Sequence, residues 1–178
     1  MLNDIKEVYF EEKEIKAKIA EMGKKLSEEY KDKYPLVVGV LKGSFVFTAD
    51  LVRAIECPLQ MDFVIAKSYG NGTETSGSVK IVKDLENDIA GRHVLLVEDI
   101  IDSGTTMSKL ITMLKTRNPA SLKLCALLSK PSRRKTEVNI DYYGWEIPDE
   151  FVVGYGLDYA EKYRNLPFIG VLKREIYS

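Results

Sequence analysis

The sequence predicts an α/β fold on a mostly parallel sheet, and three observations lead there. Strand-like and helix-like segments alternate along the 178 residues. Two of the strand-like segments, 36–41 and 94–97, are continuous apolar runs, as expected of strands covered on both faces. No internal repeat or low-complexity linker divides the chain, so a single domain over residues 1–178 is expected.

In chain order, residues 11–31 read as a helix, because Ile15, Ile19, Met22 and Leu26 recur at helical spacing among Glu and Lys. Pro35 clears the way for the strand 36–41. Residues 44–55 read as a second helix with Ser44 placed to cap it, broken by Pro58. Residues 59–67 alternate as a strand does. The stretch 68–78, SYGNGTETSGS, has three glycines and five Ser or Thr residues, and is expected to be a mobile loop or hairpin tip. Strand character returns at 79–82, and 86–92 reads as a turn. A strand follows at 93–98 and a helix at 105–116, which Asn118-Pro119 ends. The next strand is 122–129. Short strand candidates at 137–143, 150–155 and 168–173 complete the chain. With Trp145, Phe151 and several tyrosines, the last stretch, about 140–178, is expected to contribute a small subdomain beside the sheet.

Composition excludes several functions. Twenty-six basic residues face twenty-seven acidic ones, which gives no general attraction for nucleic acid; any anion site must be local. The N-terminal MLNDIKEVYFEEKEIKAKI has no apolar signal core, and no run approaches a membrane span, so neither export nor membrane insertion is expected. Asn71-Gly72-Thr73 is therefore read as a chance sequon. Cys57 and Cys125 lack any CxxC or Cys/His context, which points to a reducing cytoplasm. The single histidine, His93, rules out a multi-histidine metal site and reads as a structural or surface residue.

Residues 94–106, VLLVEDIIDSGTT, carry the chemistry. Glu98 and Asp99 fall at the end of a buried strand, where open α/β sheets bind ligands. Asp102, Ser103, Gly104, Thr105 and Thr106 then lead into a helix. Backbone N–H groups at a helix start attract phosphate, Gly104 permits the tight turn, and the hydroxyls add donors. The acids cannot grip phosphate; they suit sugar hydroxyls or a magnesium ion carried by the ligand. Neither GxxxxGK[ST] nor GxGxxG occurs.

VLLVEDIIDSGTT resembles the phosphoribosyl-pyrophosphate signature of type I phosphoribosyltransferases. LKGSFVF at 41–47, KSYGNGTETSG at 67–77, LLSKP at 127–131 and EIPDEFVVGYGLDYAEKYRNLP at 146–167 resemble its hypoxanthine-guanine branch, over residues 8 to 174. The resemblance implies the type I fold, with the C-terminal stretch forming a purine-binding hood. It implies transfer of a 5-phosphoribosyl group from phosphoribosyl pyrophosphate to N9 of hypoxanthine or guanine, with Mg2+, giving IMP or GMP plus pyrophosphate.

It also implies roles. Glu98 and Asp99 hold the ribose hydroxyls with magnesium nearby, and residues 102–106 bind the 5′-phosphate. Asp102 manages the proton at N7. Leu41, Lys42 and Gly43 form a pyrophosphate loop, in which the Leu41–Lys42 peptide can be cis, and Arg164 clamps the same anion. Ser68 and Tyr69 head a loop that closes over the site. Lys130 donates to O6 of the purine, Phe151 stacks on the base, and Val152 meets its edge. Asp158 is a ligand for a second magnesium. A homodimer or homotetramer in the cytoplasm is expected, with no nucleic-acid or membrane partner. A xanthine-preferring enzyme, or a nucleotide-sensing RNA-binding regulator on the same fold, stays open as an alternative.

Overall fold

The structure, a computed structural model, describes residues 1–68 and 79–178; of Ser68 only the backbone is described. Two sheets organise it. The larger has six strands. Five run parallel: β2 (Leu36–Val40), β3 (Gln60–Ser68), β5 (His93–Ile101), β6 (Ser121–Ser129) and β7 (Tyr142–Glu146). β4 (Val79–Lys83) adds an antiparallel edge, giving the order β4-β3-β2-β5-β6-β7. The sheet is mostly parallel, as the apolar runs predict.

Those runs alternate between two cores. Val37, Leu95 and Val97 face α1 (Glu12–Tyr30) and α2 (Phe45–Ala54), packing with Ile15, Leu26, Phe47 and Leu51. Leu36, Val38, Val94 and Leu96 face α3 (Thr105–Lys115), packing with Leu110 and Leu114. Both faces are dry, so neither register tolerates a polar residue. Gly23 lets α1 and α2 touch: a Cβ there would lie 2.4 Å from the Ala54 carbonyl oxygen.

The second sheet has three antiparallel strands, β1 (Ile5–Phe10), β9 (Ile169–Leu172) and β8 (Val152–Val153). It uses both ends of the chain. Residues 5–10 join it although their sequence shows no clean strand alternation, because β9 lends them a ladder. β7 lies within the stretch expected to build the subdomain, yet it pairs with β6 in the larger sheet. The strand candidate 137–143 is displaced to Tyr142–Glu146, and 150–155 shortens to two residues. Gly154, Tyr155 and Gly156 all have positive φ, of 97°, 51° and 99°, which no strand sustains. A four-residue helix, α4 (Arg174–Tyr177), packs its aromatic end on this sheet.

Two smaller expectations resolve here. Ser44 holds the N-cap position of α2, but its hydroxyl donates to the Val40 carbonyl at 2.7 Å instead of capping. Its backbone is helical (φ −76°, ψ 0°), whereas a capping serine needs the extended conformation. His93 is structural: Nδ1 lies 2.8 Å from Ser121 Oγ, tying adjacent strands together.

Candidate active site

β2 makes its last pair with β5 at Gly39–Val97, while β6 accompanies β5 to Ile101–Ser129. Glu98 and Asp99 therefore stand where one neighbour has turned away, and a cleft opens beside them. The turn is made by Leu41, Lys42 and Gly43, with a cis peptide between Leu41 and Lys42. A Cβ on Gly43 would lie 1.8 Å from Asp99 Oδ2. Only glycine lets the acid approach this backbone. Gly156 abuts it from the other side, since a Cβ there would meet the Gly43 carbonyl oxygen at 2.2 Å.

One cleft of about 370 Å³ collects most of the expected residues. Lys42, Gly43, Asp99, Asp102, Lys130, Phe151, Val152, Asp158 and Arg164 line it, with Ile100 and Leu157. A hollow of about 140 Å³ beside it is lined by Glu98, Asp102, Ser103, Gly104 and Thr106 among others. Leu41 and Thr105 line neither. The Thr105 hydroxyl faces Thr136 Oγ1 at 3.2 Å. Tyr69 lies outside the described residues, as does the expected loop from 69 to 78; the Ser68 backbone ends β3.

The acids are held close. Glu98 Oε1 accepts the Asp99 N–H at 3.1 Å, and Asp99 Oδ1 accepts the Ile100 N–H at 2.8 Å. Burial, reinforced by Asp99, raises the Glu98 carboxyl well above its ordinary range. Burial also raises Asp99, against hydrogen bonds and the charge of Arg164 that favour its ionised form. Such a pair gains from any hydroxyl or cation placed against it.

The loop 102–106 supplies the opposite chemistry. Gly104, with φ +77°, is the N-cap of α3 and brings no side chain of its own; in the first turn the Thr105 N–H meets Ser103 Oγ at 3.4 Å. A Cβ on Gly104 would meet the Thr136 carbonyl oxygen at 2.5 Å. Residues 133–136 brace this loop from behind. Arg134 Nε donates to the Asp102 carbonyl at 3.2 Å, and its NH2 to Ser129 Oγ at 3.0 Å. The N–H groups of Lys135 and Thr136 reach the Ser103 carbonyl at 2.9 and 3.1 Å. Arg133 pairs with the Asp102 carboxylate at 2.9 Å. Sequence reading singled out neither arginine.

Across the cleft, Lys130 is 7% exposed, and burial lowers the pKa of its ammonium group. Its N–H binds the Ile101 carbonyl at 2.9 Å, joining it to the end of β5. Phe151 stacks on Tyr177 at 4.8 Å and meets Tyr159 edge-on at 5.5 Å. Trp145 is packing, stacked on Phe10 at 4.1 Å. Asp158 pairs with Arg164 at 3.0 Å, and Arg164 NH1 donates to the Gly156 carbonyl at 2.8 Å.

No group of three or more His, Cys, Asp or Glu among the described residues forms a metal cage. What remains is the Glu98–Asp99 pair and the single Asp158, a set suited to magnesium, which takes one or two carboxylates from protein and the rest from water and phosphate. Among the described residues, no helix is long and apolar enough to cross a membrane.

The family model described as phosphoribosyl transferase domain matches residues 7–160. A hypoxanthine-guanine phosphoribosyltransferase of Bacillus subtilis is 52% identical over 178 residues, covering 100% of this chain and 99% of that protein. A hypoxanthine phosphoribosyltransferase of Salmonella typhimurium is 54% identical over 166 residues, 92% of this chain and 93% of its own length. The crystal structure of a hypoxanthine phosphoribosyltransferase from Staphylococcus aureus superposes with a TM-score of 0.97 at 48% identity, covering 100% of this chain and 97% of that one. An acid pair at a parallel strand end, a glycine-led helix start beside it and agreement over the whole length lead to one assignment: the chain belongs to the phosphoribosyltransferase family, in its hypoxanthine-guanine branch.

Proposed function

We propose that this protein is a purine-salvage enzyme. It transfers the 5-phosphoribosyl group of phosphoribosyl pyrophosphate to N9 of hypoxanthine or guanine, releasing pyrophosphate. The observation that carries the reading is the cleft with its adjoining hollow, where an acid pair, a glycine-led helix start and a buried lysine beside an aromatic ring are brought together.

Each group has a task. Glu98 and Asp99 take the ribose hydroxyls, and the N–H groups and hydroxyls of 102–106 hold the 5′-phosphate. Lys42, Gly43 and Arg164 hold the pyrophosphate; the guanidinium fork of Arg164 suits that anion. Lys130 donates to O6, which favours 6-oxopurines over adenine, whose amino group offers no acceptor there. Phe151 stacks on the base and Val152 meets its edge. N9 attacks C1′ as the C1′–oxygen bond to pyrophosphate breaks, and Asp102 receives the proton displaced from the purine. No covalent enzyme intermediate is needed; positioning and electrostatics lower the barrier. Glu98, Asp99 and Asp158 would hold magnesium, which neutralises charge on the leaving group. Ser68 and Tyr69 head the segment that excludes water once substrates are bound. The reading includes a cytoplasmic location and a homodimer or homotetramer.

The test is product formation with magnesium, phosphoribosyl pyrophosphate and hypoxanthine, guanine, xanthine, adenine, uracil or orotate, run beside Asp102→Ala, Lys130→Ala and metal-free protein. IMP and GMP formation, lost without metal and weakened in both variants, supports the reading. Tight phosphoribosyl-pyrophosphate binding without turnover on any base would replace it with a binding protein.

A further inference from the structure

Lys42 and Arg164 do not face an empty space. One carboxylate of the same chain bridges them: Glu161 Oε1 lies 3.2 Å from Lys42 Nζ, and Oε2 lies 3.4 Å from Arg164 NH2. Regular secondary structure does not put it there. Ala160 and Glu161 both adopt left-handed φ, of 50° and 61°, a conformation disfavoured for residues with a Cβ. The turn is pinned by reciprocal backbone bonds between Tyr159 and Lys162, of 3.2 and 3.0 Å. The Glu161 N–H adds a bond to Asp158 Oδ2 at 2.9 Å. So the chain adopts a disfavoured turn that delivers a carboxylate to two cations.

Two further observations bear on the role. Arg164 Nε is buried and has no hydrogen-bond partner among the described residues. The Lys42–Glu161 pair is also largely exposed, with both side chains at 65%, and exposed ion pairs are weak and exchange readily. A carboxylate with two oxygens on two cations copies one edge of a phosphate.

We propose that Glu161 is an internal counter-anion of the pyrophosphate subsite, displaced when pyrophosphate binds and returning when it leaves. It thereby sets the affinity for both phosphoribosyl pyrophosphate and released pyrophosphate. The proposal rests on the reading of Lys42 and Arg164 given above.

Glu161→Gln keeps the shape of the side chain and removes its charge. Calorimetric titration with magnesium pyrophosphate and steady-state kinetics with phosphoribosyl pyrophosphate and hypoxanthine test the proposal on the full chain. The expected result is tighter pyrophosphate binding and a lower KM for phosphoribosyl pyrophosphate, each by about two- to fivefold, as loss of one exposed pair allows. KM for hypoxanthine stays unchanged, and Glu161→Ala shifts affinity in the same direction. Weaker or unchanged pyrophosphate binding in both variants overturns it: weakening would make Glu161 part of the binding apparatus or of the turn's scaffold. A damaged turn does not tighten a ligand, so the sign of the change separates the two roles. Turnover by the parent protein in the same assay reports separately on the proposed function.

Discussion

At Glu98 and Asp99, stability and function oppose each other. Two carboxylates share a recessed strand end, and burial raises the pKa of both. In the window above the ordinary carboxylate range, the folded protein retains a proton that the unfolded chain has released, so stability falls as pH rises. Glu98→Gln should therefore stabilise the ligand-free protein by about 1 kcal/mol near neutral pH. Urea titrations should show that gain shrinking as pH falls through the ordinary carboxylate range, below which Glu98 is protonated in both states. The same variant should lose phosphoribosyl-pyrophosphate binding. Gly43 is as restricted. Gly43→Ala places a methyl group 1.8 Å from Asp99 Oδ2 and must move the acid or the backbone. Its kcat/KM should fall by about a hundredfold, the usual cost of a misplacement near 1 Å, with little change in melting temperature.

Elements brace one another around the site. The 133–136 segment holds loop 102–106 through Arg134, whose guanidinium reaches the Asp102 carbonyl and Ser129 Oγ. Arg134→Met retains the length of the stem and removes these donors. It should raise KM for phosphoribosyl pyrophosphate by about tenfold, as expected for loss of hydrogen bonds from a charged group. KM for the purine should change less. α4 braces the opposite wall. Phe151 lines both the cleft and a neighbouring cavity of about 670 Å³, whereas Tyr177 lines only that cavity. Tyr177 thus supports the ring from the side away from the cleft. Tyr177→Ala should raise KM for hypoxanthine by about three- to tenfold, the worth of an aromatic pair. Affinity for magnesium pyrophosphate, measured by calorimetry, should not change.

Across the whole molecule, the small sheet must be fixed against the large one for the cleft to exist. The buried Tyr155, in the loop of positive φ that follows β8, donates to Asp50 on α2 at 2.5 Å. Within the small sheet's own side, the Tyr163 hydroxyl donates to Asp4, just before β1, at 3.0 Å. Burial and the Asp50 partner both raise the Tyr155 phenol far above its ordinary value, so it remains a donor throughout the neutral range. Tyr155→Phe should lower stability by about 1 kcal/mol in chemical denaturation, with a rise in KM for the purine as the wall loosens.

The sequence by itself determined the parallel sheet and its two buried faces, because continuous apolar strands leave no alternative cover. It also determined the acid pair, the glycine-led helix start beside it and the family, since 94–106 packs these into thirteen consecutive residues. Local chemistry of that kind is legible because its physics is local: a helix start after a strand end attracts phosphate wherever it occurs. The tertiary structure decided what depends on distant segments meeting. Residues 5–10 became a strand only because β9 offers them a ladder, and β7 left the small sheet because β6 had a free edge. Arg133 and Arg134 became supports for Asp102 only through a fold that brings segments thirty residues apart into contact. Glu161, one charge among many in AEKYR, reached Lys42 across 119 residues of sequence separation. No spacing rule reports such a pair, because the force that selects it acts through space and not along the chain.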